Sequence, residues 1–143
     1  MLEAWGSLPL AGVVLAACLV AFVRGGAVER RGATIYALAL LAVAATRCLA
    51  VPAPAPGAAL AFAQLGFDGA LFAALFVLSW KSSRSWPVWT AMLQAVAIGV
   101  DLAAIMRPDL SAPVRASALW GVGLAQASVF GWGIIRSTRV LEK

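Results

Sequence analysis

The sequence predicts an all-α integral membrane protein: a single bundle of five transmembrane helices, N-terminus outside and C-terminus cytoplasmic. Three observations predict it. The chain of 143 residues is 63% hydrophobic and only 12% charged, where soluble domains are roughly 45–50% apolar and about 25% charged. Its mean hydropathy is +0.93. Five apolar runs follow one another at 6–23, 33–51, 58–80, 86–106 and 113–135, each near the ~20 residues that cross a ~30 Å hydrocarbon core. The basic residues between the runs alternate from one side to the other. The length is expected to leave room for helices and short loops, with no separate soluble domain.

The first run lies between Trp5 and Arg24 and is the shortest. Its Leu15-Ala16-Ala17-Cys18 matches a lipoprotein cleavage box. A secretory signal needs a basic segment ahead of the apolar one, whereas this start has Glu3 and neither Lys nor Arg. A plain span is therefore expected. The second run ends in Pro52-Ala53-Pro54-Ala55-Pro56-Gly57, and the third runs up to Trp80. Pro87 opens the fourth run and Pro113 the fifth, where a helix has no use for the missing N–H. Ser85 and Ser111 stand where N-caps are expected.

Orientation follows from the cations. Arg24, Arg30 and Arg31 lie in the first connector, Lys81 and Arg84 in the third, and Arg136, Arg139 and Lys143 at the C-terminal end. The N-terminal end and the second connector have none, and the fourth has Arg107 with Arg115 nearby. Basic connectors mark the cytoplasmic side. The net charge of +5 is spread over these short clusters, so it implies topology and secondary contact with anionic lipid rather than a nucleic-acid face. The chain has no His, which removes the commonest metal ligand and general base. Cys18 and Cys48 have no CxxC spacing and suit small apolar fillers.

Six strongly polar residues interrupt the runs: Arg47, Gln64, Asp68, Gln94, Asp101 and Gln126. A charge at the centre of a span costs about 2.5–3.5 kcal/mol on insertion scales, so such groups face protein or a wet cavity. At ~1.5 Å rise per residue, Arg47 and Asp101 lie about 6–8 Å below the outer boundary and Gln64 about 9 Å. Asp68, Gln94 and Gln126 lie about 15–20 Å down. Gln64 and Asp68 share a helix face, as do Gln94 and Asp101. The expectation is two polar layers: an Arg47–Asp101 ion pair, and deeper an Asp68, able to be neutral, meeting Gln94 or Gln126. Such layers serve either as interhelical hydrogen bonds that fix packing or as a path for a proton, ion or small solute.

Small residues recur every four positions at Gly123, Ala127 and Gly131, at Ala17, Ala21 and Gly25, and at Gly66, Ala70 and Ala74. Faces of this kind allow helices to approach closely. The Gly-containing stripe at Gly123, Ala127 and Gly131 is expected to pack within the bundle or against another subunit. Trp80, Trp86, Trp89 and Trp132 are expected as anchors at the inner interface and Trp5 at the outer one.

The string Arg84-Ser85-Trp86-Pro87-Val88-Trp89-Thr90-Ala91-Met92-Leu93-Gln94 resembles a pattern in short bacterial multi-pass inner-membrane proteins of uncharacterised function. There too a basic residue, Trp-Pro, an aromatic and a Gln open a span. The resemblance covers about a third of the chain, with Pro108 and Trp120 as looser matches, and implies a bacterial inner-membrane location and no particular activity. A chain that is nearly all span, without His or a metal-ligand cluster, is expected to be a non-catalytic subunit or assembly factor of a larger membrane complex. Its partners would be other membrane subunits and lipids, with no nucleic acid, soluble substrate or cofactor. The alternative is a small transporter or channel using Asp68, Asp101 and Arg47. An enzyme is not expected, because Asp68 and Asp101, the carboxylates within the runs, sit at different depths with no His near them.

Overall fold

A computed structural model of the protein describes the backbone of residues 2–50, 57–107 and 112–141, and the side chains of 11–45, 62–107 and 113–137. It is helical throughout, with no strand among the described residues. Five helices follow in order: α1 (Leu2–Arg24), α2 (Ala27–Ala50), α3 (Gly57–Trp80), α4 (Trp86–Met106) and α5 (Ala112–Leu141). Three stretches, Phe62–Trp80, Trp86–Met106 and Pro113–Ser137, are long and apolar enough to cross a membrane. Ala11–Arg24 is a shorter apolar stretch of α1.

The bounds of α4 are those of the fourth apolar run, and α3 begins one residue ahead of the third. In contrast, α2 starts well before its apolar run, at Ala27, and α5 continues past its own to Leu141. Helices end where backbone bonding is interrupted, not where side chains become polar. Glu29-Arg30-Arg31 and Arg136 to Leu141 contain no Gly or Pro, so the helices carry through them. Between α1 and α2 only Gly25 and Gly26 intervene. The Gly25 N–H donates to Ala21 O at 2.9 Å. A Cβ on Gly25 would meet Glu29 Cβ at 2.7 Å and strike Ala21 O, so this tight hairpin needs glycine.

Helices adjacent in sequence pack side by side, and α1 closes against α5, completing a ring in chain order. Short connections favour this antiparallel neighbour packing. The core is concentrated in one half of the bundle. It is built from Cys18 and Ala21 of α1, Ala33 and Tyr36 of α2, Leu75 and Leu78 of α3, Trp86 and Ala91 of α4, and Phe130 and Ile134 of α5. That half contains the α1–α2 and α3–α4 connectors, which hold their helices close there. Across them Glu29, fully buried, faces Arg84 with 3.8 Å from Oε1 to Nε. Cys18 Sγ, also buried, points at Ala33 O across 3.6 Å.

Trp86 is the centre of this core and departs from the sequence expectation. The belt role holds it at an interface with its three fellow tryptophans, but the structure buries it to 4% exposure. Its ring centroid lies 5.0 Å from that of Phe130, which in turn stacks obliquely on Tyr36 at 5.2 Å. Two glycines make the slot. A Cβ on Gly133 would sit 2.6 Å from Trp86 Cγ and Cδ1, and one on Gly32 would strike the far edge of the same ring. Trp80, Trp89 and Trp132 project outward at 82%, 58% and 64% exposure. The side chain of Trp5 lies outside the described residues. Many large apolar side chains also face outward, Leu19, Val23, Leu41 and Phe62 among them.

Candidate functional site

The inward face of α4 carries Thr90, Gln94, Ala97 and Asp101, all buried. Spacings of four, three and four residues return to one side of a helix, so three polar side chains form a stripe about 16 Å long. Helices α3 and α5 close over it.

Gln94 sits in the middle and uses both ends of its amide. Its Nε2 donates to Asp68 Oδ1 at 2.8 Å, and its Oε1 accepts from Gln126 Nε2 at 2.7 Å. Gln126 also reaches Thr90 O at 3.4 Å. Farther along, Asp101 Oδ1 accepts from Arg115 Nε at 3.0 Å and from one terminal nitrogen of the same guanidinium at 2.6 Å. Asp101 is 1% exposed and the Arg115 side chain 31%. The Asp68 carboxyl faces that of Asp101, which links the two parts into one seam. Asp101 Oδ2 is buried and has no hydrogen-bond partner among the described residues.

The cation opposite Asp101 is thus Arg115 of α5. Arg47, the expected partner, lies in the part of α2 whose side chains fall outside the described residues. Gln64 does not enter the seam, because its side chain is exposed. Asp68 is itself only half-buried, and four residues turn a helix ~40° past full register. That offset carries Gln64 off the buried face. Two members of the seam escaped the sequence reading. Thr90 was legible through its spacing to Gln94 and Asp101. Arg115 follows Pro113 in the first turn of α5, opposite the last two turns of α4, which brings it level with Asp101; in the sequence it stands only as a topology charge.

The small-residue stripes differ from one another in what they pack against. Ala21 is fully buried and Gly25 is tightly enclosed, so the α1 stripe packs inside the bundle. A Cβ on Gly66 or Gly131 would meet nothing within 4 Å. Gly123, Ala127 and Gly131 are half-buried. Within the bundle, the glycine of α5 that admits a close neighbour is Gly133, filled by Trp86.

Chemically, the seam is a clamp. Its amides and carboxyls join α3, α4 and α5, and each such interhelical hydrogen bond is worth about 0.6 kcal/mol in a membrane protein. Among the described residues no group of three His, Cys, Asp or Glu comes together to hold a metal ion. Gln94→Leu removes the amide to which Asp68 and Gln126 both bond, leaving Gln126 only its longer contact to Thr90 O. It is expected to lower stability by about 1–2 kcal/mol, read from unfolding in mixed micelles, whereas Gln64→Leu should leave it unchanged.

Fold and site together define an all-helical bundle with three helices apolar enough to cross a membrane and a largely buried polar seam between them. Compared with protein-family models, curated proteins and solved structures, the chain matches none.

Proposed function

We propose that this chain is a five-span protein of the bacterial inner membrane, N-terminus outside and C-terminus cytoplasmic, serving as a non-catalytic subunit or assembly factor of a larger membrane complex. The single observation that carries this reading is the division of α5. Gly133 is filled by Trp86, while Gly131, two residues away, has open space where a Cβ would go. Gly131 continues the face of Gly123 and Ala127, and small residues at a helix surface permit another helix to approach closely. The seam supports the same reading, since its polar groups are spent on holding the bundle together. The basic connectors and the resemblance at Arg84 to Gln94 support the orientation and the location.

Gly131→Leu tests it. The variant is expected to keep the fold, with stability no lower than the parent's because a Cβ at Gly131 meets open space and leucine favours a helix over glycine, and to lose the chains that co-purify with the wild type. Retention of those chains by the variant sinks the α5 face as the docking surface.

One observation favours a second reading, a small transporter. Among the described residues no donor reaches the buried Asp101 Oδ2, which lies beside the Asp68 carboxyl, and a proton or cation between the two would supply its partner. On this reading Asp68→Asn abolishes proton or cation flux into vesicles and leaves assembly untouched. Unchanged flux, or no flux in the wild type, removes it.

A further inference from the structure

A cavity of about 200 Å³ opens beside the α3–α4 connector, against the last turns of α5. Arg84 and Arg136 line it, with the hydroxyl residues Ser83 and Ser85 and the indoles of Trp86 and Trp132. Nearly every polar group there donates hydrogen bonds. α4 also begins on this wall without a side-chain cap. Ser85 occupies the N-cap position at φ −82° and ψ −25°, helical angles that turn its hydroxyl away from the first-turn amides. A capping side chain needs an extended backbone at that position. Pro87 has no N–H and the Trp89 N–H donates to Ser85 O at 3.3 Å, so the Trp86 and Val88 amides are the ones left without a side-chain cap, and a helix start favours negative charge.

The charges do not cancel within the cavity. Glu29 faces Arg84 at 3.8 Å and balances that cation, but its carboxylate is not part of the lining. Arg136 is exposed and, among the described residues, has no carboxylate partner. Guanidinium groups pair with phosphate through two parallel bonds, and serine hydroxyls and free helix amides complete such sites. The exposed Trp132 ring gives one wall an apolar rim at the bundle surface.

We propose that this cavity is a phosphate-binding site, with Arg136 as the principal ligand and Arg84, Ser83, Ser85 and the start of α4 around it. The phosphate is that of an anionic lipid headgroup or a free phosphate ion. The lipid source rests on the membrane reading above; the free-ion source does not.

The test uses the full chain in mild detergent. Retention of phosphatidylglycerol against phosphatidylcholine is counted by native mass spectrometry, and the thermal shift in millimolar inorganic phosphate is measured alongside. Arg136→Gln is compared with Arg31→Gln, which removes an exposed charge from the same end of the bundle but not from the cavity. Arg136→Gln is expected to weaken binding at least about tenfold, since glutamine keeps an N–H donor but loses the charge and the paired geometry, and Arg31→Gln to leave it within about twofold. Selective loss of phosphatidylglycerol in Arg136→Gln assigns the lipid, and selective loss of the phosphate shift assigns the free ion; either supports the site. Equal losses in the two variants, or no binding of either probe to the wild type, overturn it. Extraction without detergent would contradict the membrane reading while leaving the phosphate arm decisive for the cavity.

Discussion

Arg115→Gln is expected to destabilise the protein by about 3 kcal/mol, the low end of the ~3–5 kcal/mol range for breaking a buried ion pair from one side. The asymmetry of burial sets the direction. Asp101 is 1% exposed, whereas the Arg115 side chain keeps 31% of its surface. Removing the cation leaves a carboxylate with no water to turn to, next to a second carboxyl from Asp68. Asp101→Asn is expected to cost much less, about 1 kcal/mol, because it leaves an amide and a cation that still reaches solvent. The double variant should therefore sit close to Asp101→Asn alone. A double-mutant cycle read by unfolding in mixed micelles gives the coupling directly. Strictly additive effects would show that the 2.6 Å and 3.0 Å contacts contribute nothing to holding α4 on α5.

Trp86→Ala should be the most damaging single truncation, at about 3–5 kcal/mol, the range for emptying a large aromatic site. Trp86 fills a slot whose walls come from Gly32 of α2 and Gly133 of α5, and its ring stacks on Phe130. Its loss removes contacts to α2 and α5 at once, and packing contacts of this kind hold helices together inside a membrane. The slot should be equally intolerant from the other side. Gly133→Ala places a methyl against Trp86 Cγ near the α4 backbone, where the ring has least freedom to move. Overpacking of about 1–3 kcal/mol should outweigh the ~1 kcal/mol that alanine gains over glycine in a helix. Gly131→Ala, with nothing in its way, keeps that gain. Opposite signs for two substitutions two residues apart would verify the rotation of α5, and equal effects would contradict it.

Much of the architecture was legible in the sequence. Apolar length and proline placement located α3 and α4 almost to the residue, because there the polarity change and the helix end coincide. They separate at α2 and α5, where helix-forming charged residues continue the backbone ladder beyond the apolar run. Gln94, Asp68, Gln126 and Asp101 stood out because polar groups are rare in such runs, and the structure brings all four to the α3–α4–α5 contact. What stayed hidden was rotation. Whether Trp86 turns into the bundle like a core residue or outward like Trp89 depends on glycines on α2 and α5, far away in sequence. The same applies to Gly131 against Gly133, and to Gln64 against Asp68. Arg115 stayed hidden because a basic residue next to a proline break looks like a topology signal until the helix opposite is known.

The most direct test of the accessory-subunit account is the native mass of the protein extracted from its own membrane in mild detergent, with every co-migrating chain identified. A stable assembly far heavier than the 14.8 kDa chain, containing unrelated chains and lost on Gly131→Leu, is the predicted result. A monomer or a pure homo-oligomer would contradict it and move the weight to Asp68 and Asp101 as a transport pair.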